Sequence, residues 1–168
     1  MNTERVFLYG RRLVGKAFGG VYAFDRLARL CCGLPPFHRG AYVYNTDPSS
    51  LPGEHWVAVW FDGRGSVFFM DTFGRAVPSA LARALTDFRI FRSVSRLQGV
   101  TTVVCGHYCL YWLRKVARGV PPSSVVADLL SFSNALRRDH WVARTVSRWA
   151  GARVGPVHYG GLARLFHP

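Results

Sequence analysis

Two short apolar runs separated by a glycine-studded break constrain this chain more than any other feature. Residues 55–61 and 66–72 are rich in Val, Phe and Trp, and Asp62-Gly63-Arg64-Gly65 lies between them. Runs of this kind, bounded by turn residues, form a β-hairpin. Neither run alternates apolar with polar residues, so both strands are expected to be covered on two faces and to sit centrally in a sheet. Turn geometry then sets the register. A four-residue loop pairs Phe61 with Ser66 and sends His55 and Asp71 to opposite faces. A three-residue loop, Gly63-Arg64-Gly65, pairs Asp62 with Ser66 and Val57 with Asp71, which makes His55 and Asp71 diagonal neighbours on one face. That loop needs a left-handed residue at its end, and Gly65 supplies it.

The segments around the hairpin read as follows. Asp25 caps a short helix to about Cys32, where Gly33 takes the stop position and Pro35-Pro36 forbids continuation. Residues 41–45 read as a short strand and 47–53 as a loop. Residues 78–85 form a short helix and 89–95 another strand. Residues 101–116 are a loop turning into a helix, with Cys105, Cys109, Trp112 and Val116 on one stripe. Ser123 or Ser124 caps a helix to about Phe132, and Asn134 caps a longer one to Ala150, stopped by Gly151. Residues 153–168 are basic and irregular. The 168 residues, 49 % hydrophobic and 18 % charged, suit one domain over 1–168 with a single core. The class is α+β: a small central mixed sheet packed by helices. No apolar run reaches the length of a membrane span, and no secretory signal is seen at the start.

Four residue types follow one another in an order that carries chemistry: His55, Asp71, Gln98 and Cys105. A cysteine is a nucleophile as its thiolate, and a helix start beside an imidazolium favours that form. Cys105 falls where the helix begins, and Gly106 after it leaves room for a substrate. His55 can take the thiol proton and later protonate a leaving amine. Asp71 can hold the ring tautomer. The backbone N–H of Cys105 and the side-chain amide of Gln98 can bind the oxyanion. Taken singly, each of these residues is more often structural; their joint occurrence on suitable elements makes the argument. Cys31, Cys32 and Cys109 read as core residues. No CxxC pair and no zinc-type histidine spacing occurs, so no metal is expected, and the compartment is expected to be reducing.

These stretches resemble the adenovirus endopeptidase (adenain) family and its relatives in adenovirus-like and transposon-encoded proteases. The resemblance rests on Gly53-Glu54-His55-Trp56-Val57-Ala58-Val59-Trp60, on Phe69-Met70-Asp71-Thr72-Phe73-Gly74, and on Leu97-Gln98-Gly99 with Cys105-Gly106 following. It covers about residues 18–118 and implies a papain-like, adenain-like fold. By the resemblance His55 is the base, Asp71 its partner, Gln98 the oxyanion donor, Cys105 the nucleophile, and Trp56 a wall of the substrate site. The wider superfamily includes the SUMO-specific proteases, which carry an Asp as third member where the adenovirus enzymes carry Glu.

The resemblance implies a cysteine endopeptidase that cuts viral or virus-like capsid and core precursors after Gly, in the host nucleus and virion. It also implies stimulation by DNA and by a short activating peptide that adds a strand. No cysteine lies between Phe37 and Cys105, where the family tethers that peptide, so a peptide here would bind noncovalently or be replaced by a built-in segment. The composition agrees with a polyanionic partner. Lys and Arg total 22 against 9 Asp and Glu, a net charge of +13, which favours non-sequence-specific binding by counterion release. In the last helix Trp141, Val142, Thr145 and Trp149 are expected to face the core, leaving Arg137, Arg138, Arg144 and Arg148 for phosphates. The chain is expected to act as a monomer, away from membranes. The tail segment 157–161, ending Gly160-Gly161, is a candidate self-cleavage site, with a flexible chain end as the simpler reading. Two alternatives stay open: a ubiquitin- or SUMO-type isopeptidase using the same residues, and a basic DNA-packaging protein without catalysis.

Overall fold

Ala58 pairs with Met70 and Phe61 with Val67, the register that a three-residue turn imposes. Gly63 and Gly65 both take positive φ, 77° and 80°, as the turn requires. Asp62 Oδ1 accepts the backbone N–H of Arg64 at 2.7 Å and of Ser66 at 3.0 Å, closing the turn from its own side chain.

The computed structural model describes residues 1–51 and 53–153. Along the chain come α1 (Thr3–Val14), β1 (Phe18–Ala23), α2 (Phe24–Cys31), β2 (Arg39–Asn45), β3 (Trp56–Asp62), β4 (Ser66–Met70), α3 (Ser79–Arg83), β5 (Arg89–Arg92), α4 (Cys105–Ala117), α5 (Pro122–Leu130) and α6 (Ala135–Trp149). The strands lie side by side in chain order. β1–β2 and β4–β5 run parallel, while β2–β3 and β3–β4 run antiparallel. This is the expected α+β architecture, with the hairpin strands inside the sheet.

Both faces of the sheet are covered, which is why its central strands read as unbroken apolar runs. One face presents Ala41, Val43, Trp56, Ala58, Trp60 and Met70 to a core built with α1, α4, α5 and α6. The other presents Tyr42, Tyr44, Val57, Val59, Phe61 and Phe69 to α2, α3 and the turn after α3. α4 lies in the heart of the first core, with Cys105, Cys109, Trp112 and Val116 all buried.

Several boundaries differ from the sequence reading. α1 and β1 were not expected as elements. α1 is capped by Asn2, whose Oδ1 accepts the N–H of Arg5 at 3.0 Å. Inside it Gly10 is required, because the ring of Phe18 occupies the space a Cβ would fill. α5 starts at Pro122 with no side-chain cap, so Ser123 and Ser124 lie within it; proline suits this first position, whose N–H needs no partner. α6 starts as expected, with Asn134 Oδ1 accepting the N–H of Arg137 at 3.0 Å. Its inward face is Val142, Ala143 and Val146, whereas Trp141 is 40 % exposed. Residues 154–168, including the 157–161 segment, lie outside the described residues.

Candidate active site

The hairpin and α4 converge at one end of the sheet. His55 immediately precedes β3, Asp71 immediately follows β4, and Cys105 is the first residue of α4. His55 Nε2–H donates to Asp71 Oδ1 at 2.8 Å, the diagonal contact the register predicts. With Nε2 committed, Nδ1 is left for the thiol, and the His55 ring and the Cys105 side chain lie close enough to shift each other's protonation. The His55 backbone is held as well, its C=O accepting the N–H of Thr46 at 2.9 Å. Asp71 Oδ1 also accepts the N–H of Phe73 at 2.8 Å, so the carboxylate is fixed by its own turn. The Phe73 ring packs 4.9 Å from the imidazole. Arg75 and Arg96 sit over the same Phe73 ring at 5.2 and 5.7 Å.

The electrostatics favour a charged pair. Burial alone would hold the His55 imidazolium down. Hydrogen bonds to Asp71 and Cys105, with their charges, outweigh it and raise the ring to about 9. Burial would likewise raise the Cys105 thiol. The His55 hydrogen bond and charge, aided by the backbone N–H groups of Trp56 and Gly106, bring it below its ordinary value. Asp71 follows the same pattern: burial opposes its charge, and the hydrogen bond and charge of His55, the Phe73 N–H and Arg75 hold it low. Opposite charges in reach of one another account for all three directions. The contrast with the other buried thiols is sharp. Desolvation pushes Cys31 up to about 12 and Cys109 well above its usual range. All four cysteines are free.

Gln98 is buried in the loop before α4. The N–H groups of Leu97 and Gln98 donate to the Thr72 carbonyl at 2.8 and 3.2 Å, tying that loop to the end of β4. Thr72 Oγ1–H donates to Gln98 Oε1 at 3.1 Å, and Gln98 Nε2–H donates to the Thr102 carbonyl. The amide is therefore fixed at both ends, with one of its two N–H groups spent on Thr102.

Trp56 and Gly106 occupy the flank. The indole Nε1–H of Trp56 donates to the Met1 carbonyl at 3.1 Å. A Cβ on Gly106 would stand 3.3 Å from both Trp56 and Val6. The missing side chain thus admits the indole and α1 rather than a substrate, which corrects the sequence reading of Gly106. Trp56 also borders an open cleft of about 310 Å³ shared with Thr3, Tyr22, Arg26, Asn45 and Leu51.

Of the four arginines assigned to phosphates, Arg137, Arg144 and Arg148 are exposed on α6. Arg138 is not: it is 6 % exposed. Its Nε–H donates to the Leu97 carbonyl at 2.8 Å, Nη2 to the same oxygen, and Nη1 to the Leu129 carbonyl at 3.0 Å. A guanidinium spent on two buried carbonyls cannot reach a phosphate. Sequence reasoning also missed Thr72, Thr102, Tyr108 and Asp139 around Gln98, and gave Phe73 no role. No local pattern marks Thr72, Tyr108 and Asp139, whose partners lie far along the chain, whereas Thr102 and Phe73 also bond locally, to Gln98 and Asp71. Among the described residues, no three His, Cys, Asp or Glu side chains gather as a metal site. No described helix is long and apolar enough to cross a membrane.

No protein-family model matches the chain, and no curated protein matches it. Solved structures do. A crystal structure of the ASFV pS273R protease aligns with 69 % of this chain and 43 % of its own, at 21 % identity and a TM-score of 0.50. The selenomethionine form of that protease aligns with 68 % and 45 %, at 21 % identity and a TM-score of 0.48. The chain spans less than half the length of these structures. At that identity the first match shows a shared fold: the five-stranded mixed sheet packed by helices is the fold of that protease.

Proposed function

We propose that this chain is a cysteine endopeptidase of adenain-like type, with Cys105 as nucleophile, His55 as base and then acid, Asp71 as the group that orients it, and Gln98 as oxyanion donor. One observation carries the reading: a buried imidazole bonded to a carboxylate at 2.8 Å, with a thiol at a helix start near enough to stabilise its charged form. In this scheme the Cys105 thiolate attacks the scissile carbonyl carbon, and the oxygen gains the charge. The C–N bond breaks as the His55 imidazolium gives its proton to the amine. Neutral His55 then takes a proton from water, the hydroxide attacks the thioester, and the sulfur leaves as thiolate with the imidazolium restored. The fold shared with a viral protease supports a viral or virus-like precursor as substrate. Cleavage after Gly, a host nuclear and virion location and a monomeric state belong to the same reading by resemblance.

DNA stimulation is part of the proposal. It draws support from the net charge of +13 and from exposed Arg137, Arg144 and Arg148 on one helix. An activating peptide that adds a strand is supported by β5, which lies at a sheet edge with all four residues exposed.

Iodoacetamide labelling tests the core of this, read at the Cys105 peptide by mass spectrometry with and without duplex DNA. Selective labelling of Cys105 over Cys31, Cys32 and Cys109, lost in His55→Ala, is expected. Equal labelling of Cys105 and exposed Cys32, unchanged by His55→Ala, would leave a DNA-binding protein with an incidental thiol.

A further inference from the structure

Two neighbouring charged residues of α6 are buried, and both point at one loop. Asp139 is fully buried. Its Oδ2 accepts the backbone N–H of Gly99 at 2.9 Å and the Thr102 hydroxyl at 2.6 Å. Its Oδ1 accepts the Tyr108 hydroxyl of α4 at 2.7 Å. Among the described residues this carboxyl group has no basic partner within ion-pair distance. Arg138, beside it, spends two of its nitrogens on the Leu97 carbonyl. Burying such groups costs stability unless hydrogen bonds satisfy them, and here those bonds run mainly to a loop 37 to 41 positions away. A pair of buried charged residues aimed at Leu97, Gly99 and Thr102 therefore calls for a reason beyond packing.

Gln98 lies between those three residues. The Thr102 carbonyl accepts the Gln98 Nε2–H, and the Thr102 hydroxyl is fixed by Asp139. The residues on either side of Gln98 in sequence are held by Arg138 and Asp139. Resting on the proposed catalytic reading, we infer that Arg138 and Asp139 are positioning residues: from α6 they set the loop 97–102 so that the free amide N–H of Gln98 faces the developing oxyanion. Neither touches substrate. They act on the transition state alone, through a donor whose usefulness depends on placement to a fraction of an ångström.

The test separates thiol activation from oxyanion stabilisation. Alkylation of Cys105 by iodoacetamide forms no oxyanion; acyl transfer from p-nitrophenyl acetate does. Asp139→Leu and the milder Thr102→Val, which exchanges a hydroxyl for a methyl group, are compared with wild type, with Thr102→Ser as the conservative rescue. Acyl transfer is expected to fall by about 10- to 100-fold, while alkylation at Cys105 stays within about 2-fold and Thr102→Ser returns both to wild type. Hydrogen exchange at the Gly99 amide, read without any turnover, is expected to speed up in Asp139→Leu, which leaves that N–H no acceptor. Unchanged acyl transfer, or alkylation falling together with it, would overturn the inference. Unchanged Gly99 protection would overturn the anchor whatever the thiol does. A wild-type Cys105 that is neither selectively alkylated nor acylated, with Gly99 protection still lost in Asp139→Leu, would sink the protease reading and keep the anchor.

Discussion

Replacing Asp71 by Asn should move the alkaline limit of turnover, because that limit belongs to the His55 proton. In the native site the ring is raised from 6.5 to about 9 against the opposing effect of burial. That rise corresponds to about 3 kcal/mol in favour of the imidazolium. His55 is only 4 % exposed, so solvent screening removes little of this. Asp71 and Cys105 each contribute one hydrogen bond and one charge, and Asp71 binds at 2.8 Å. If Asp71 carries about half of the net effect, Asp71→Asn removes about 2 kcal/mol, since burial persists while its opponent is lost. Hydrolysis of a Gly-Gly aminocoumarin amide needs the imidazolium to protonate the leaving amine. Its rate should decline above about pH 9 in wild type and above about pH 8 or lower in Asp71→Asn, with the maximum reduced by about 10²- to 10⁴-fold from lost ring orientation. A descending limb that stays near pH 9 in the variant would show that Asp71 does not hold this proton, and the argument from the hairpin register to catalysis would fail with it.

Three further outcomes follow from the same geometry. Arg138→Ala should lower stability by about 2–4 kcal/mol in urea unfolding, because it takes the guanidinium from two buried carbonyls and leaves Leu97 only the Tyr108 hydroxyl at 3.4 Å, whereas Arg144→Ala should leave stability unchanged and reduce the salt slope of DNA binding by about 0.9. His107 has a buried Nδ1 without a partner and is depressed to about 4 by burial, the nearby N-terminal charge and Arg5. Its contribution is present above pH 6.5 and lost as pH falls toward 4, since the unfolded chain binds the proton that the fold refuses. Denaturation at pH 7 and pH 4.5 should differ by about 2 kcal/mol, allowing for its partly exposed ring, and His107→Gln should flatten that difference. Gly65→Ala places a side chain at φ 80° in open space, so it should cost about 1 kcal/mol of strain, read as a lower Tm with the hairpin register kept.

What was legible in the sequence is what short-range chemistry decides. Gly65 and Asp62 closed the turn, the turn set the register, and the register brought His55 to Asp71. Asn134 announced α6, and the apolar stripe through Cys109 and Trp112 announced α4 with the sulfur at its start. The failures share a different cause. α1 carries Gly10 and a run of arginines, and only its docking of Val6 and Leu13 into the core makes it a helix worth having. β1 contains two glycines and is a strand because β2 pairs with it. Arg138 follows Arg137 in a helix that looks solvated, and nothing local says that a loop 41 positions earlier turns it inward.

That division has a consequence for how the site is built. The acid–base pair hangs from a hairpin whose two ends are 16 residues apart, whereas the Gln98 loop is pinned by a residue 40 positions away. On the proposed reading, the hairpin secures the His55–Asp71 pair, α4 brings the thiol to it from 50 positions further along the chain, and α6 secures the loop of the oxyanion donor. Substitutions in the core around α6, far from the sulfur, should then damage acyl transfer before they damage thiol reactivity. Mild destabilisation should have the same order of effects, because α6, whose Trp141 is 40 % exposed, loosens before the sheet and α4 at the heart of the core. A urea titration below the unfolding transition should therefore lose acylation by p-nitrophenyl acetate at concentrations where iodoacetamide still finds a reactive Cys105. Loss of both together would mean that sheet end, α4 and α6 open as one unit.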